Sequence, residues 1–544
     1  MKLKIVVLTG ILVALARIFH AKRGISGSGR CWSGVRALIL AGILLWAGVS
    51  LGADKFVWRN NPAPADPYTS WSSAATSILQ AVTAAASGET IWVTNGNYEL
   101  SGTITLTGRR LKSMNGPTLT SIQGNGIAGC FNMNGANGYL DGFTISNGYA
   151  QSGGGVYVYS FGNTYTNTIT NCVITKNISW RGSGIQAGGG VHLLDANARL
   201  LNCTISQNAD TNWQYGSGPG GVYVGNGMVA SCVITGNWGY SAGGAYVSGG
   251  TFHDCTIQNN SAYSAGGLNV AGALTVQDCL ICDNVSSDTV AGVYATSVAI
   301  ISNCLISGNS ALTGLGYGGG GGGFGTFNLC VFSNNNAKFG SGAYMSGGTL
   351  SHCKFIGNQG GTDWPGGTGI GIYNLLASLS IRNCLFIGNN GRGIGVTRNN
   401  TTTHLLDIES CTMVGNSNNG LFVDAASGSG LPYTFVTDTL VYSNSSSDIA
   451  ASGANTNVFA YCCAAFANFP PNRGNTTNNP QFVDAINGNY RLKSGSSCIN
   501  TGSNQDWMAT VLDLDGHQRL DEFSRIVDIG AYEYLPSGML FKIR

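Results

Sequence analysis

The sequence predicts an all-β chain wound as a parallel β-helix, and three observations predict it. A short frame repeats: an apolar residue, two spacers, Cys, one spacer, an apolar residue, two spacers, Asn. The stretch GGAYVSGGTFHDCTIQNN, residues 243–260, carries one copy. The cysteines of the frame are Cys172, Cys203, Cys232, Cys255, Cys279, Cys304, Cys330, Cys353, Cys384 and Cys411. Five places after each stands Asn177, Asn208, Asn237, Asn260, Asn284, Asn309, Asn335, Asn358, Asn389 or Asn416. Successive cysteines lie 23 to 31 residues apart, and a short period with insertions at one place in the repeat marks a solenoid. Apolar residues alternate with period two and no helical period competes.

Each part of the frame has a structural reading. Three places before the Cys sits Ile169, Leu200, Val229, Phe252, Val276, Ile301, Phe327, Leu350, Ile381 or Ile408, and two places after it Ile174, Ile205, Ile234, Ile257, Ile281, Ile306, Phe332, Phe355, Phe386 or Met413. Upstream, GG-V-Y-V or a variant places Val156 and Val158, Val222 and Val224, or Ala245 and Val247 on one face. Just before the Cys the alternation slips by one, at Asn171, Asn202, Ser231, Asp254, Asp278, Asn303, Asn383 or Ser410 in most repeats. Asn and Asp tolerate left-handed φ, so this residue makes a tight bend between two strands. Three short strands then close one coil.

Composition agrees with one elongated body that grows along its axis. Glycine supplies 82 of 544 residues, about twice the usual share of ~7%. Charged residues are 10%, well under the usual ~25%. With no basic stripe, nucleic acid is excluded as a partner.

In chain order, residues 1–53 read as a targeting segment. They hold Lys2, Lys4, Arg17, Lys22, Arg23, Arg30 and Arg36, no acidic residue, and an apolar run from Ala37 to Val49 that ends in LGA. This reads as export with cleavage after Ala53; a membrane span is the other reading, for which the run is short. Without the leader, 20 basic residues (27 less those seven) face 25 acidic ones.

Residues 54–102 read as an N-terminal cap. Ser72 or Ser73 caps a helix whose Ala75, Ile78, Leu79, Val82 and Ala86 form an apolar face, Gly88 ends it, and Thr90–Val93 begins the strands. With Gly96-Asn97-Tyr98 after a Gly-Glu-Thr turn, this segment resembles the N-terminal cap of the pectate-lyase-like right-handed β-helix superfamily. The resemblance implies a right-handed coil. Residues 103–470 form the β-helix, and one further coil replaces Cys by Thr, with Val436, Asp438, Thr439, Val441 and Asn444 in the corresponding places. The GGAY and FIGN elements, at Gly243, Phe355 and Phe386, also look like the repeats of chlamydial polymorphic outer-membrane proteins.

Residues 471–544 read as an irregular C-terminal cap. From Asn479 to Glu533 the chain is similar to the C-terminal region of secreted β-helix proteins of the choice-of-anchor Q type: Asn479-Pro480, then YRL and SCI, then DLDGHQR and DIGAYE. That similarity implies a surface-associated protein. No apolar sorting tail follows in Tyr534–Arg544, which favours free secretion or non-covalent retention.

The candidate sites follow from the strand pattern. Neighbouring coils stack ~4.8 Å apart, a poor geometry for disulfides, so the cysteine column is expected to be buried and unpaired. The one disulfide considered joins Cys498 to Cys462 or Cys463. The asparagine column is expected to form stacked amides. Asp254 and Asp278 occupy the same bend in successive coils and are the metal candidates, for Ca²⁺, against a plainer role as bend residues. Asp513-Leu514-Asp515-Gly516 resembles the start of a calcium loop but reads as a turn. No other cofactor is expected.

The outward positions of the GG-V-Y-V strand read Tyr157, His192, Tyr223, Tyr246, Asn269, Tyr294, Gly325, Tyr344, Gly371, Gly395 and Phe422. None is acidic, and His253, Arg382 and Glu409 are placed on coils too far apart to act together, so no catalytic residue is assigned. Tyr157, Tyr223, Tyr246, Tyr294 and Tyr344 form a stripe: either aromatic packing between coils or a platform for sugar rings. The expected function is that of an exported, non-catalytic β-helix that meets an extracellular polysaccharide or a cell-surface component, with membrane contact only through the leader. A polysaccharide lyase or glycoside hydrolase is the alternative, and an adhesin or structural surface protein the second.

Overall fold

Every coil begins with the same local dictate, three-residue strands whose central or flanking apolar side chains point inward, and the coils repeat it in register. The computed structural model describes residues 52–536 apart from 160–164, 181–186, 212–217, 297, 312, 314–315, 361–368, 374, 399–403, 426–433, 453–456 and 521–523. All of the expected leader except Gly52 and Ala53 lies outside the described residues. Residues 54–544 form one compact unit.

The strands stack into three long parallel sheets. The first holds 16 strands, from Lys55–Val57 to Asn457–Ala460, and lies just before the Cys of each coil. The second holds 15 strands, from Gly96–Glu99 to Cys463–Ala464, just after it. The third holds 14, including Val156–Val158, Val222–Val224 and Ala245–Val247. Register is kept from coil to coil, as in Ile205 beside Ile234 and Ile234 beside Ile257. A fourth sheet of nine two-residue strands, such as Ile178–Ser179 and Ser261–Ala262, follows the asparagine of the frame. It joins the three sheets that the alternation predicts; two residues are too few to display a period.

Two corners take left-handed backbone. At the bend between the first and second sheets φ is +49° to +55° at Asn171, Asn202, Ser231, Asp254, Asp278, Asn303 and Asn383, and +51° at Ser410. Leu329, His352, Asp438 and Tyr461 take the same conformation. The second corner, one residue before the asparagine, does so at Lys176, Gln207, Asn259, Asp283 and Asn334.

The core is a set of columns. Ile, Leu, Val and Phe fill it, with Phe332, Phe355 and Phe386 stacked at 4.6 and 4.8 Å within 6° of parallel. The frame cysteines are 0–3% exposed, and all are unpaired. Each thiol donates to the carbonyl two residues back at 3.1–3.4 Å. Thr439 takes the same place with its hydroxyl, 2.9 Å from the Thr437 carbonyl, and Cys462 resumes the column in the next coil. Burial pushes the Cys462 thiol up to about 12 and raises that of Cys203.

Beside them runs an unbroken amide ladder from Asn177 to Asn444. Each Nδ2 donates to the next Oδ1 at 2.9–3.1 Å. The same Oδ1 accepts the backbone N–H of the preceding asparagine, and Nδ2 also reaches a carbonyl of the preceding coil, as Asn284 does with Asn260 N–H and Ile257 O. Buried amides cost little only when all their bonds are made, and here the repeat makes them.

The ends differ from the middle. Helix α1 (Ile78–Ala84) is capped by Ser77 with Gln80 in a reciprocal capping box, not by Ser72 or Ser73. That cap turns Ile78, Ala81 and Val82 inward and leaves Leu79 47% exposed. At the other end Phe459, Phe466 and Phe469 meet at 5.3–6.2 Å and close the core. Within the region read as a C-terminal cap, the stretch from Asn479 onward returns along the corner between the first and second sheets. Its Leu512 carbonyl accepts from Asn383 Nδ2 at 2.9 Å and lies 2.7 Å from His352 Nε2, and its Ala531 N–H donates to Thr412 Oγ1 at 3.0 Å. It covers outward residues of the second sheet, burying Leu385, Val414, Leu440 and Cys463. Among the described residues no helix is long and apolar enough to cross a membrane.

Candidate functional site

Parallel in-register pairing forces equivalent outward side chains of the third sheet into one file. Tyr157, His192, Tyr223 and Tyr246 follow one another in it. Their ring centroids are 5.3, 4.5 and 5.7 Å apart, and Tyr223 and Tyr246 lie within 14° of parallel. His192 is 3% exposed between its neighbours. Asn269 interrupts the file beyond Tyr246, and the next positions are Tyr294, Gly322, Tyr344 and Gly371. The expected place of Gly325 in this row belongs to Gly322, because the glycine run Gly318–Gly323 gives no alternation from which to count.

Of the five predicted tyrosines the structure therefore joins Tyr157, Tyr223 and Tyr246 through His192. Tyr294 stands between Asn269 and Gly322, and burial raises its hydroxyl. Tyr344 packs on Tyr317 at 4.6 Å. Where the rings stack, their faces are turned to one another along the axis, so hydroxyls and ring edges face outward. The Tyr223 hydroxyl meets Ser248 Oγ at 3.3 Å.

A second, interrupted aromatic row stands three places after ladder asparagines, at Trp180, Tyr240 and Tyr263, with Thr211 between the first two. Tyr240 and Tyr263 stack at 4.8 Å within 13°, and Trp180 lies 6.0 Å from Tyr149. Trp180, Tyr263 and Tyr149 are exposed. Counting from Asn177, Asn237 and Asn260 reveals this row in the sequence; the GG-V-Y-V count alone does not.

Two expectations on the first sheet change. Arg382 and Glu409 lie on adjacent coils, directly paired in register, and form an ion pair. Asp407 shares their face; burial raises its carboxyl while Arg382 pulls it down. The Arg382 guanidinium also lies 5.4 Å from the Trp507 ring. Glu409 is thus committed to Arg382, and His253 pairs instead with Asp254 at 2.7 Å.

Asp254 and Asp278 occupy successive bends but have separate partners, His253 for the first and Asn303 Nδ2, at 2.5 Å, for the second. Among the described residues the only group of three possible metal-ligating side chains is Asp513, Asp515 and His517. Asp513 Oδ1 accepts the N–H groups of Asp515 and His517, its Oδ2 accepts that of Glu533, and Asp515 is clamped by Nε and Nη2 of Arg491. This is the bonding of a turn. Cys462 points into the core column, and the cysteines that share a cluster are Cys463, whose thiol donates to the Asn478 carbonyl at 3.3 Å, and Cys498, both unpaired covalently.

A family model described as "Right handed beta helix region" matches residues 125–292 and 269–440. No curated protein matches the chain significantly. Among solved structures, pectate lyase Pel9A is 14% identical over 90% of this chain and 98% of its own, with a TM-score of 0.33. The alginate lyase AlyGC of family PL6 is 15% identical over 76% of this chain, with a TM-score of 0.36, and the match spans 54% of its own length. The catalytic unit of a GH87 α-1,3-glucanase from Streptomyces thermodiastaticus strain HF3-3 is 11% identical over 70% of this chain and 62% of its own, with a TM-score of 0.30. These likenesses are of fold.

Proposed function

The chain belongs to the right-handed β-helix family, and from that premise we propose that it is an exported, non-catalytic protein that binds an extended polysaccharide along the third sheet. The observation that carries this reading is the ring-to-ring file Tyr157–His192–Tyr223–Tyr246 with the Tyr240–Tyr263 pair beside it. Such a surface offers hydroxyls and ring edges at intervals close to the rise of one sugar, without charge, to a chain lying parallel to the axis. No single contact of this kind suffices, so several together are needed for useful affinity.

Export and a place at the cell surface belong to the same proposal. The leader pattern of residues 1–53 supports the first. The likeness of Asn479–Glu533 to choice-of-anchor Q regions, and of the repeats to polymorphic outer-membrane proteins, supports the second. We take the protein to need no metal or cofactor for binding.

Retention of the purified protein on insoluble polysaccharides tests the reading. The Tyr223→Ser, Tyr246→Ser, Tyr294→Ser triple variant is expected to keep its circular dichroism and lose retention. Unchanged retention would move the surface elsewhere.

A second reading, as lyase or glycoside hydrolase, draws on Asp407 and Glu409 sharing one strand face. Reducing-end release or double-bond absorbance that disappears in Glu409→Gln would favour it. An adhesive surface role needs neither.

A further inference from the structure

Exposed tryptophan is costly to leave in water, because it is the largest apolar side chain and its burial is strongly favourable. Two stand together at the start of the solenoid. Trp58 is 38% and Trp71 37% exposed, and Met114 beside them is 47% exposed. With Thr94, Asn95 and Asn115 they line an open cleft of about 510 Å³. Thr94-Asn95 and Met114-Asn115 leave the first sheet toward the second in successive coils, so the cleft opens on the corner that the returning C-terminal stretch covers at the opposite end.

We propose that this cleft is a binding site for a short stretch of neutral oligosaccharide, a sugar ring stacking on one or both indoles. Three observations support it. The main chain that carries both indoles is fixed before any ligand arrives, and the Trp71 ring is packed as well. The Trp58 backbone N–H donates to the Ala75 carbonyl at 2.8 Å, and the Trp58 carbonyl accepts from the Asn61 backbone N–H. Trp71 packs on Phe56 at 4.6 Å, and its carbonyl accepts from Ala74 N–H. Asn61 Nδ2 ties the loop between them to the carbonyls of Ser72 and Ala74. Rigid aromatics lose little entropy on binding.

The polar groups are of the right class. Asn115 Nδ2 donates to Asn95 Oδ1 at 2.8 Å, which fixes the amide pair and leaves the second N–H of Asn115, the Asn115 carbonyl and the Asn95 amide nitrogen to pair with hydroxyls. Apolar faces with a few fixed amides are how pyranose rings, with one CH-rich face and a rim of hydroxyls, are recognised. No charged side chain lines the cleft, so an acidic sugar finds no counter-charge there. The site lies off the tyrosine file but rests on the same reading of the protein as a glycan binder.

Titration of the full-length protein with cellohexaose, xylohexaose and laminarihexaose, followed by tryptophan fluorescence and calorimetry, tests it. At least one is expected to give a saturable shift, weakened tenfold or more in Trp58→Ala and in Trp71→Ala and lost in the double variant. Tetragalacturonate is expected to bind at least tenfold more weakly. Met114→Asp, which adds a charge without touching an indole, is expected to cause the same loss and stands in should the double variant misfold. No saturable response to any neutral probe, an unchanged response in these variants, or a preference for tetragalacturonate overturns the proposal. The tyrosine triple variant separates the two readings. A fluorescence response that survives in it supports the cleft whatever happens to polysaccharide retention. Retention lost in the triple variant with no fluorescence response in the parent leaves the tyrosine file and overturns the cleft.

Discussion

Arg519 Nε lies 3.2 Å from Glu533 Oε1, and both side chains are withdrawn from solvent, at 0% and 4% exposure. The guanidinium also donates to Asn383 Oδ1 on a bend of the solenoid and to the carbonyls of Gly530 and Asp528. Burial pushes the Glu533 carboxyl up to about 8 against the pull of Arg519. This pair fastens the returning C-terminal stretch to the coils. Removing Arg519 leaves the buried Glu533 carboxyl without its partner and the Asn383, Gly530 and Asp528 oxygens without their donor, so Arg519→Leu is expected to cost ~3–5 kcal/mol. The Arg519→Leu, Glu533→Leu double variant should recover part of it. Urea unfolding gives the cost, and protease cleavage within residues 498–534 shows whether that stretch has detached.

Asp438 makes the same junction sensitive to pH. Its Oδ1 accepts Ser503 N–H at 2.6 Å and its carbonyl accepts Gly530 N–H. Burial pushes its carboxyl up to about 7; the Ser503 N–H and Arg519 pull it down, and Glu409 adds to the rise. A carboxyl raised on folding contributes stability that is complete below its unfolded value near ~4 and lost as pH rises through about 7. The fold is therefore expected to be more stable at pH 5 than at pH 8 by up to ~2–4 kcal/mol from this group. Asp438→Asn should reduce that dependence and leave the share that Glu533, also raised by burial, contributes in the same direction. Urea midpoints at the two pH values measure it, and an equal slope in the variant would exclude Asp438 as the cause.

These relationships separate what the residues announce from what they conceal. Stacking in register repeats each contact, so Cys279, Asn284 and the bend at Asp278 recur visibly in sequence. The contacts of Arg519 with Asn383 and of Asp438 with Ser503 happen once and span 136 and 65 residues, so no period reveals them. The motifs DLDGHQR and DIGAYE hold Asp513, Arg519, Asp528 and Glu533, the residues that fasten the C-terminal region down. Arg382 and Glu409 were open to a better count, since each stands two places before a cysteine of successive coils. The tryptophan cleft draws on the loop between Lys55–Val57 and α1, which repeats nowhere.

The amide ladder makes a sharper forecast. The Asn284 side chain makes four hydrogen bonds: two through Nδ2, to Asn309 Oδ1 and Ile257 O, and two accepted by Oδ1, from Asn260 N and Nδ2. Asn284→Ala leaves buried groups on both neighbouring coils without partners, each costing ~1–3 kcal/mol. A loss of at least ~3 kcal/mol is expected, with faster amide exchange at Asn260 and in flanking coils. Asn284→Asp keeps the acceptors and turns an oxygen toward Ile257 O, so it should recover little. A variant as stable as the parent would show that the stacked amides contribute nothing beyond filling space.

The cysteine column carries its own control, because Thr439 already occupies one of its places. There a hydroxyl makes the bond to the carbonyl two residues back that thiols make elsewhere, so the column selects for small size and a single donor. Cys279 donates to Gln277 O at 3.1 Å and is 3% exposed. Cys279→Thr is accordingly expected to change stability by no more than ~1 kcal/mol, whereas Cys279→Leu overpacks the column and should cost ~1–3 kcal/mol. Burial to 0–3% exposure also closes the frame thiols off from a reagent in solution. A disulfide-exchange reagent at pH 8 should therefore leave the frame cysteines unmodified in the folded protein and titrate them all after denaturation without reductant. Finding most of them already oxidised in the denatured, unreduced chain would show that neighbouring coils are cross-linked, and would replace the small-donor account of the column with a covalent one.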